Sequence, residues 1–223
     1  MGTMMAVAAW GGRGGGDAGG GVGDDSSRIA RALEAVRDSV ERIDSLLQRG
    51  RHFTAIDSEL EDVRQRSGVA LPAESLAIGY ALDRAALALA PIVDSALLTL
   101  GDAFRWVGPA SRVTQRSVGI PDPDNTLHSL GAVEMWSGGV RTRSQRDAHG
   151  PTVKSVTVLA ATAIRADAWT AAFMVVGCDS ALALAPRLAR PESRVSVLCA
   201  DSAGVRSTTD LEQRFRRPTG RGP

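Results

Sequence analysis

Lysine is nearly missing from this chain. Lys154 is the only one among 26 Lys and Arg residues, so lysine-dependent chemistry is confined to a single position. Charge of one sign is missing too: the net of +1 leaves no global attraction for nucleic acid or a membrane surface. The 4 Trp residues show no basic-aromatic repeat, which argues against an Arg-rich nucleic-acid module. Cysteine is scarce. Cys178 and Cys199 have no CxxC spacing and sit in apolar segments, so they read as buried reduced thiols rather than a disulfide or metal site. No run reaches the roughly 18 apolar residues of a membrane span. The opening MGTMMAVAAW lacks the basic start and long apolar stretch of a signal peptide, so a cytoplasmic location is expected. The glycine-dominated segment from Gly11 to Gly23 lacks the GK[ST] ending of a phosphate-binding loop and reads as a flexible linker.

What is present is an ordinary globular composition, with 43% hydrophobic and 23% charged residues in 223. That length suffices for one domain or two small ones with a sizeable core. Residues 1–10 read as a first strand, 11–24 as linker, 25–213 as the main domain and 214–223 as a basic flexible tail. Ile29, Leu33, Val36, Val40, Ile43 and Leu47 mark a helix over Asp24 to Gly50. A second helix is expected within Phe53 to Gly68, with Asp57 or Ser58 as its cap. Ser75 to Ala103 reads as a buried helix, a break at Pro91, a buried strand over Val93 to Leu100 and a turn at Gly101.

Further strands are expected at Val118 to Ile120, Leu130 to Trp136, Gly139 to Thr142, Val156 to Ile164 and Val195 to Ala200. Arg141, Arg143, Arg146 and His149 are expected in a polar loop. Helices are expected over Asp167 to Val176 and Ser180 to Leu188, with Asp167 placed at the positive end of its own helix dipole. Helices alternating with strands, without a regular βαβ count, indicate an α+β fold.

Several separated motifs resemble one family. IGYALDRA followed by SALLTLGDA is similar to "IAKGYAVDRA" and "NALVNLGGD" of the ApbE-like FAD:protein FMN transferases. Met1-Gly2-Thr3 resembles the opening of that family's first strand, and Asp57-Ser58-Glu59-Leu60 its "dSEL" segment. SVGIPDP resembles "w.vgI.dP", VRTRS resembles "vaTSG", and Ser155 to Gly177 resembles "SVTVvap…aDAlaTalfvlG". These motifs occur in family order over most of the chain. The resemblance implies helices packed on a mostly antiparallel sheet in a single domain. It also implies an Mg2+-dependent phosphoryl transfer that attaches FMN from FAD to a Thr or Ser of a target flavoprotein, with no membrane span. By the same resemblance Asp167, Thr170 and the Ser75 carbonyl would hold metal, and Met1, Gly79, Gly101 and Thr142 would contact FAD; no catalytic residue is assigned.

The chain departs from that pattern at chemically loaded positions. Ala171 stands four residues after Asp167, where the family has its metal-binding Thr, and Thr170 is displaced around the helix by about 100° from it. Ile78 replaces the Lys that engages FAD, and Asp102 and Ala103 occupy the last two positions of "GGD". The family's His-containing loop is reduced to Asp147 to Pro151, and a block between Arg66 and Ser75 is missing. Two functions therefore stay open: an FMN transferase, or a catalytically inactive flavin-binding or protein-interaction remnant of the same family.

Overall fold

A computed structural model of the chain describes residues 5–12, 27, 30, 34, 53–109, 116–125, 127–145, 153–188 and 194–217. Met1, most of the Gly-rich segment, Arg146 and His149 lie outside the described residues. Of the first expected helix only Ser27, Ala30 and Glu34 are described, all helical.

Among the described residues seven strands form one antiparallel sheet in the order β1-β2-β3-β6-β7-β8-β9. They are β1 (Met5–Gly12), β2 (Val93–Leu100), β3 (Ala103–Val107), β6 (Gly139–Ser144), β7 (Ser155–Ala160), β8 (Val195–Asp201) and β9 (Gly204–Ser207). β4 (Arg116–Pro121), β5 (Ser129–Met135) and β10 (Phe215–Arg216) make a small second sheet. Phe215 and Arg216, read from sequence as tail, thus pair with β5.

The α-helices described along their length are α1 (Thr54–Ser67), α2 (Ala77–Leu89), α3 (Ala163–Val176), α4 (Cys178–Leu184) and the short α5 (Thr209–Glu212). α1 to α4 cover one face of the large sheet, and the small sheet covers the other. Strand alternation divides the side chains between the faces. Val156 and Val158 of β7 join Trp169 and Phe173 of α3, while Leu159 joins Val118, Val133 and Met135 of the small sheet. β7 is buried along its whole length for that reason.

α3 runs through the centre of the helical layer. It is apolar on every side and buried from Ala166 to Phe173, as a helix enclosed all round requires. Its start differs from the sequence reading: the strand stops at Ala160, and Thr162 caps a helix that already begins at Ala163. An apolar run such as VLAATAI has no internal mark for where strand gives way to helix. α1 begins at Thr54 with no side-chain cap, so neither Asp57 nor Ser58 serves as one. Arg141 and Arg143 lie on β6 rather than in a loop.

Two features clamp the helical layer. A Cβ added to Gly79 on α2 would lie 2.6 Å from the Ile164 Cα and closer still to the Ala163 carbonyl, so only glycine lets α2 meet the start of α3. Cys178 at the head of α4 is disulfide-bonded to Cys199 on β8, with Cα atoms 5.6 Å apart. The expectation of reduced thiols is therefore corrected. Sequence shows two apolar cysteines 21 residues apart, but not that the fold lays one over the other.

Gly79→Ala should lower stability by about 3 kcal/mol in urea unfolding, because backbone rather than a movable side chain fills the space. Reducing the disulfide, or replacing both cysteines with serine, should cost about 3 kcal/mol by the loop-closure relation, read as a shift in urea midpoint.

Candidate functional site

Ser75, Gly79 and Asp167, three of the residues singled out by sequence, converge where α2 and α3 meet. Two carboxylates organise this region by capping each other's helix. Asp83 on α2 accepts hydrogen bonds from the Ala163 and Ile164 amides at the start of α3, at 3.0 and 2.8 Å. Asp167 on α3 accepts from the Gly79 amide in the first turn of α2, at 3.0 Å. Each acid thus meets amides that lack a partner within their own helix, at the positive end of the neighbouring dipole. Asp167 serves the dipole of α2, not that of its own helix as the sequence suggested. Arg105 on β3 donates to Asp83 at 2.7 Å.

β6 supplies the charge opposite Asp167. Arg141 and Arg143 are two residues apart on one strand, so both side chains lie on the helical face. Arg143 Nη2 donates to Asp167 Oδ1 at 2.8 Å and to the Ser75 carbonyl at 2.5 Å. Arg141 Nε lies 3.3 Å from the same carboxylate oxygen. Burial pulls the Arg141 guanidinium below its usual range, and the Asp167 charge opposes that shift. Asp167 itself is 1% exposed. Asp102, in the turn after Gly101, adds a further acidic group near Arg141.

Ser75, Gly79 and Asp167 are thus brought together, and Gly101 sits in the adjacent turn between β2 and β3. Thr142 is not part of this centre. It is buried on the opposite face of β6, where its hydroxyl pairs with that of Thr157 at 2.9 Å. The Thr170 hydroxyl is spent on backbone, bonding the Ala166 carbonyl at 2.5 Å and the Arg141 carbonyl at 3.3 Å. Ile78 packs into the core between α2 and β2, and Ala171 is buried. Glu59 of the "dSEL" segment accepts from Arg165 at 3.0 Å, tying α1 to α3, and burial raises its carboxyl above the usual range against the pull of Arg165.

The donor set that the resemblance assigns to Mg2+ does not fit that ion in this arrangement. Mg2+ demands a near-octahedral oxygen shell at about 2.0–2.1 Å. Here both the Ser75 carbonyl and the Asp167 carboxylate are held by one guanidinium group, a second lies alongside, and the Thr170 hydroxyl is engaged elsewhere.

Asp83, Arg105 and the pairing of Arg143 with Asp167 were not legible as site features. Asp83 lies within the IGYALDRA motif, yet a capping signal is local in sequence and these amides lie 80 residues further on. Cavities among the described residues lie away from Asp167, near Gly138 and the small sheet. One, of about 240 Å³, is lined by Gly138, Ala160, Arg194 and Arg214 among others.

Helices on one face of an antiparallel sheet make this an α+β fold, and solved structures share it. A flavin transferase ApbE from Vibrio cholerae superposes with a TM-score of 0.63 at 16% identity, covering 96% of each chain. An ApbE protein from Thermotoga maritima gives 0.55 at 19% identity over 89% of this chain and 79% of its own. The flavinyl transferase ApbE of Pseudomonas stutzeri gives 0.51 at 23% identity over 66% of this chain and 50% of its own. The ApbE family model matches residues 3–195, and the chain belongs to the ApbE family. No curated protein sequence matches it.

Asp83→Ala should destabilise the fold by about 3 kcal/mol in urea unfolding. It leaves two helix-start amides and the Arg105 guanidinium without their acceptor.

Proposed function

We propose that this chain is a flavin transferase that takes FAD as substrate and moves FMN to a Thr or Ser of a target flavoprotein. The acceptor hydroxyl oxygen would bond to the FMN phosphorus as the pyrophosphate P–O bond breaks. AMP departs with that electron pair, and the hydroxyl proton passes to water. The observation that carries this reading is the centre at the α2 start. It sets two guanidinia against Asp167 beside the start of α2 and next to the Gly101 turn, with Arg143 partly exposed. Arginine suits phosphate through its fork of donors and its permanent charge. The Mg2+ dependence implied by the resemblance is not used in this step, since its oxygens are engaged by Arg143.

A second reading, an inactive flavin-binding or protein-interaction member, draws support from two positions. Half-buried Ile78 packs against the core where the resemblance implies an FAD-engaging Lys, and Ala171 stands where it implies a metal-binding Thr. No described helix is long and apolar enough to cross a membrane. For location, the Cys178–Cys199 bond supports an oxidising compartment over the cytoplasm expected from sequence.

Calorimetric titration of the purified chain with FAD, followed by an assay for AMP in the presence of a flavoprotein acceptor, separates these readings. Micromolar binding with AMP release is the expected result. Binding without AMP would favour the inactive reading, and a folded chain that ignores FAD would overturn both.

A further inference from the structure

The guanidinium of Arg143 sits between the two oxygens that the family resemblance assigns to a metal. One nitrogen, Nη2, reaches both the Ser75 carbonyl and Asp167 Oδ1, and a divalent ion bound to those atoms would occupy the same space. Positive charge stands there too: two guanidinia converge on Asp167, with Asp102 a further acidic group near Arg141. Neither guanidinium is saturated: among the described residues the buried Arg143 Nε has no hydrogen-bond partner, and Arg141 Nε meets Asp167 as an ion pair at 3.3 Å without a hydrogen bond. Arg143 keeps 28% of its side chain exposed, so the group is anchored yet reachable. VRTRS, by its resemblance to "vaTSG", carries these two arginines where that pattern has small residues.

We propose that Arg143, flanked by Arg141, is a built-in cation that takes the place of the divalent metal. The site would then exclude metal and bind the diphosphate of its flavin ligand without one. The diphosphate half rests on the flavin reading above; the exclusion of metal does not. The arrangement has a physical logic. A bound ion is lost when its concentration falls, whereas a guanidinium on a strand is always present. The cost is geometry, since a flat fork cannot adopt an octahedral shell.

The test has two arms on the full chain. In the first, Mn2+ alone is titrated and the free ion followed by electron paramagnetic resonance, in wild type and in Arg143→Ser. Wild type should take up no Mn2+, while R143S, with Ser75 and Asp167 released, should bind it. Arg143→Gln, which keeps more of the packing, serves as a second variant. Should neither fold, the wild-type titration still decides: stoichiometric Mn2+ uptake by wild type would overturn the proposal.

In the second arm FAD is titrated in EDTA and again in Mg2+. The two affinities should agree within about twofold, and R143S in EDTA should bind on the order of tenfold to a hundredfold more weakly, with Mn2+ recovering part of the loss. A tenfold gain for wild type on adding Mg2+ would overturn the proposal. FAD binding in neither condition would sink the flavin reading and the diphosphate half together. The Mn2+ arm would still rule on whether Arg143 holds the metal position.

Discussion

The interaction on which the rest depends is the exchange of caps between α2 and α3. Each helix begins with amides that no residue of its own turn satisfies, and each receives a carboxylate from the other: Asp83 for α3, Asp167 for α2. The exchange holds only while the two helices stay in close contact, and Gly79 permits that contact by having no side chain. It also sets where everything else goes. With the pair locked, α3 passes through the centre of the helical layer, β6 runs beneath it, and Arg141 and Arg143 come up against Asp167. The same carboxylate that caps a helix is therefore the anion that holds the guanidinia.

Sharing one acid between a helix cap and two guanidinia constrains what the site can become. Asp167 offers one oxygen to the Gly79 amide and the other to the arginines. Little acceptor capacity is left for a hard cation, and two positive side chains repel one. Permanent positive charge, on the other hand, is plentiful. A centre of this kind suits an anionic group such as a diphosphate, whose oxygens accept from a fork of donors.

Much of the fold was legible in the chain. The run from Ser75 to Ala103 shows helix, break, strand and turn because helical spacing, a proline, a β-rich stretch and a glycine follow one another, and each acts over a few residues. The family likeness was legible because its motifs keep their order. The α3 boundary was not: Val156 to Ile164 is apolar throughout, so nothing local says where extended chain becomes helix. The role of Arg143 was not legible either. Beside another arginine and an acidic, His-containing segment it reads as exposed loop, until β6 pairs with β3 and β7 and turns it inward.

By itself, then, the sequence determined the element types, the α+β class, the family and the positions that depart from its pattern, since all of these follow from short-range spacing and residue identity. Only the tertiary structure decided which partners those residues meet. It joined Cys178 to Cys199, carried Asp83 to the head of a helix 80 residues away, and set Arg143 between Ser75 and Asp167. Such pairings depend on how strands and helices stack, and a contact between residues far apart in the chain leaves no periodic trace within it.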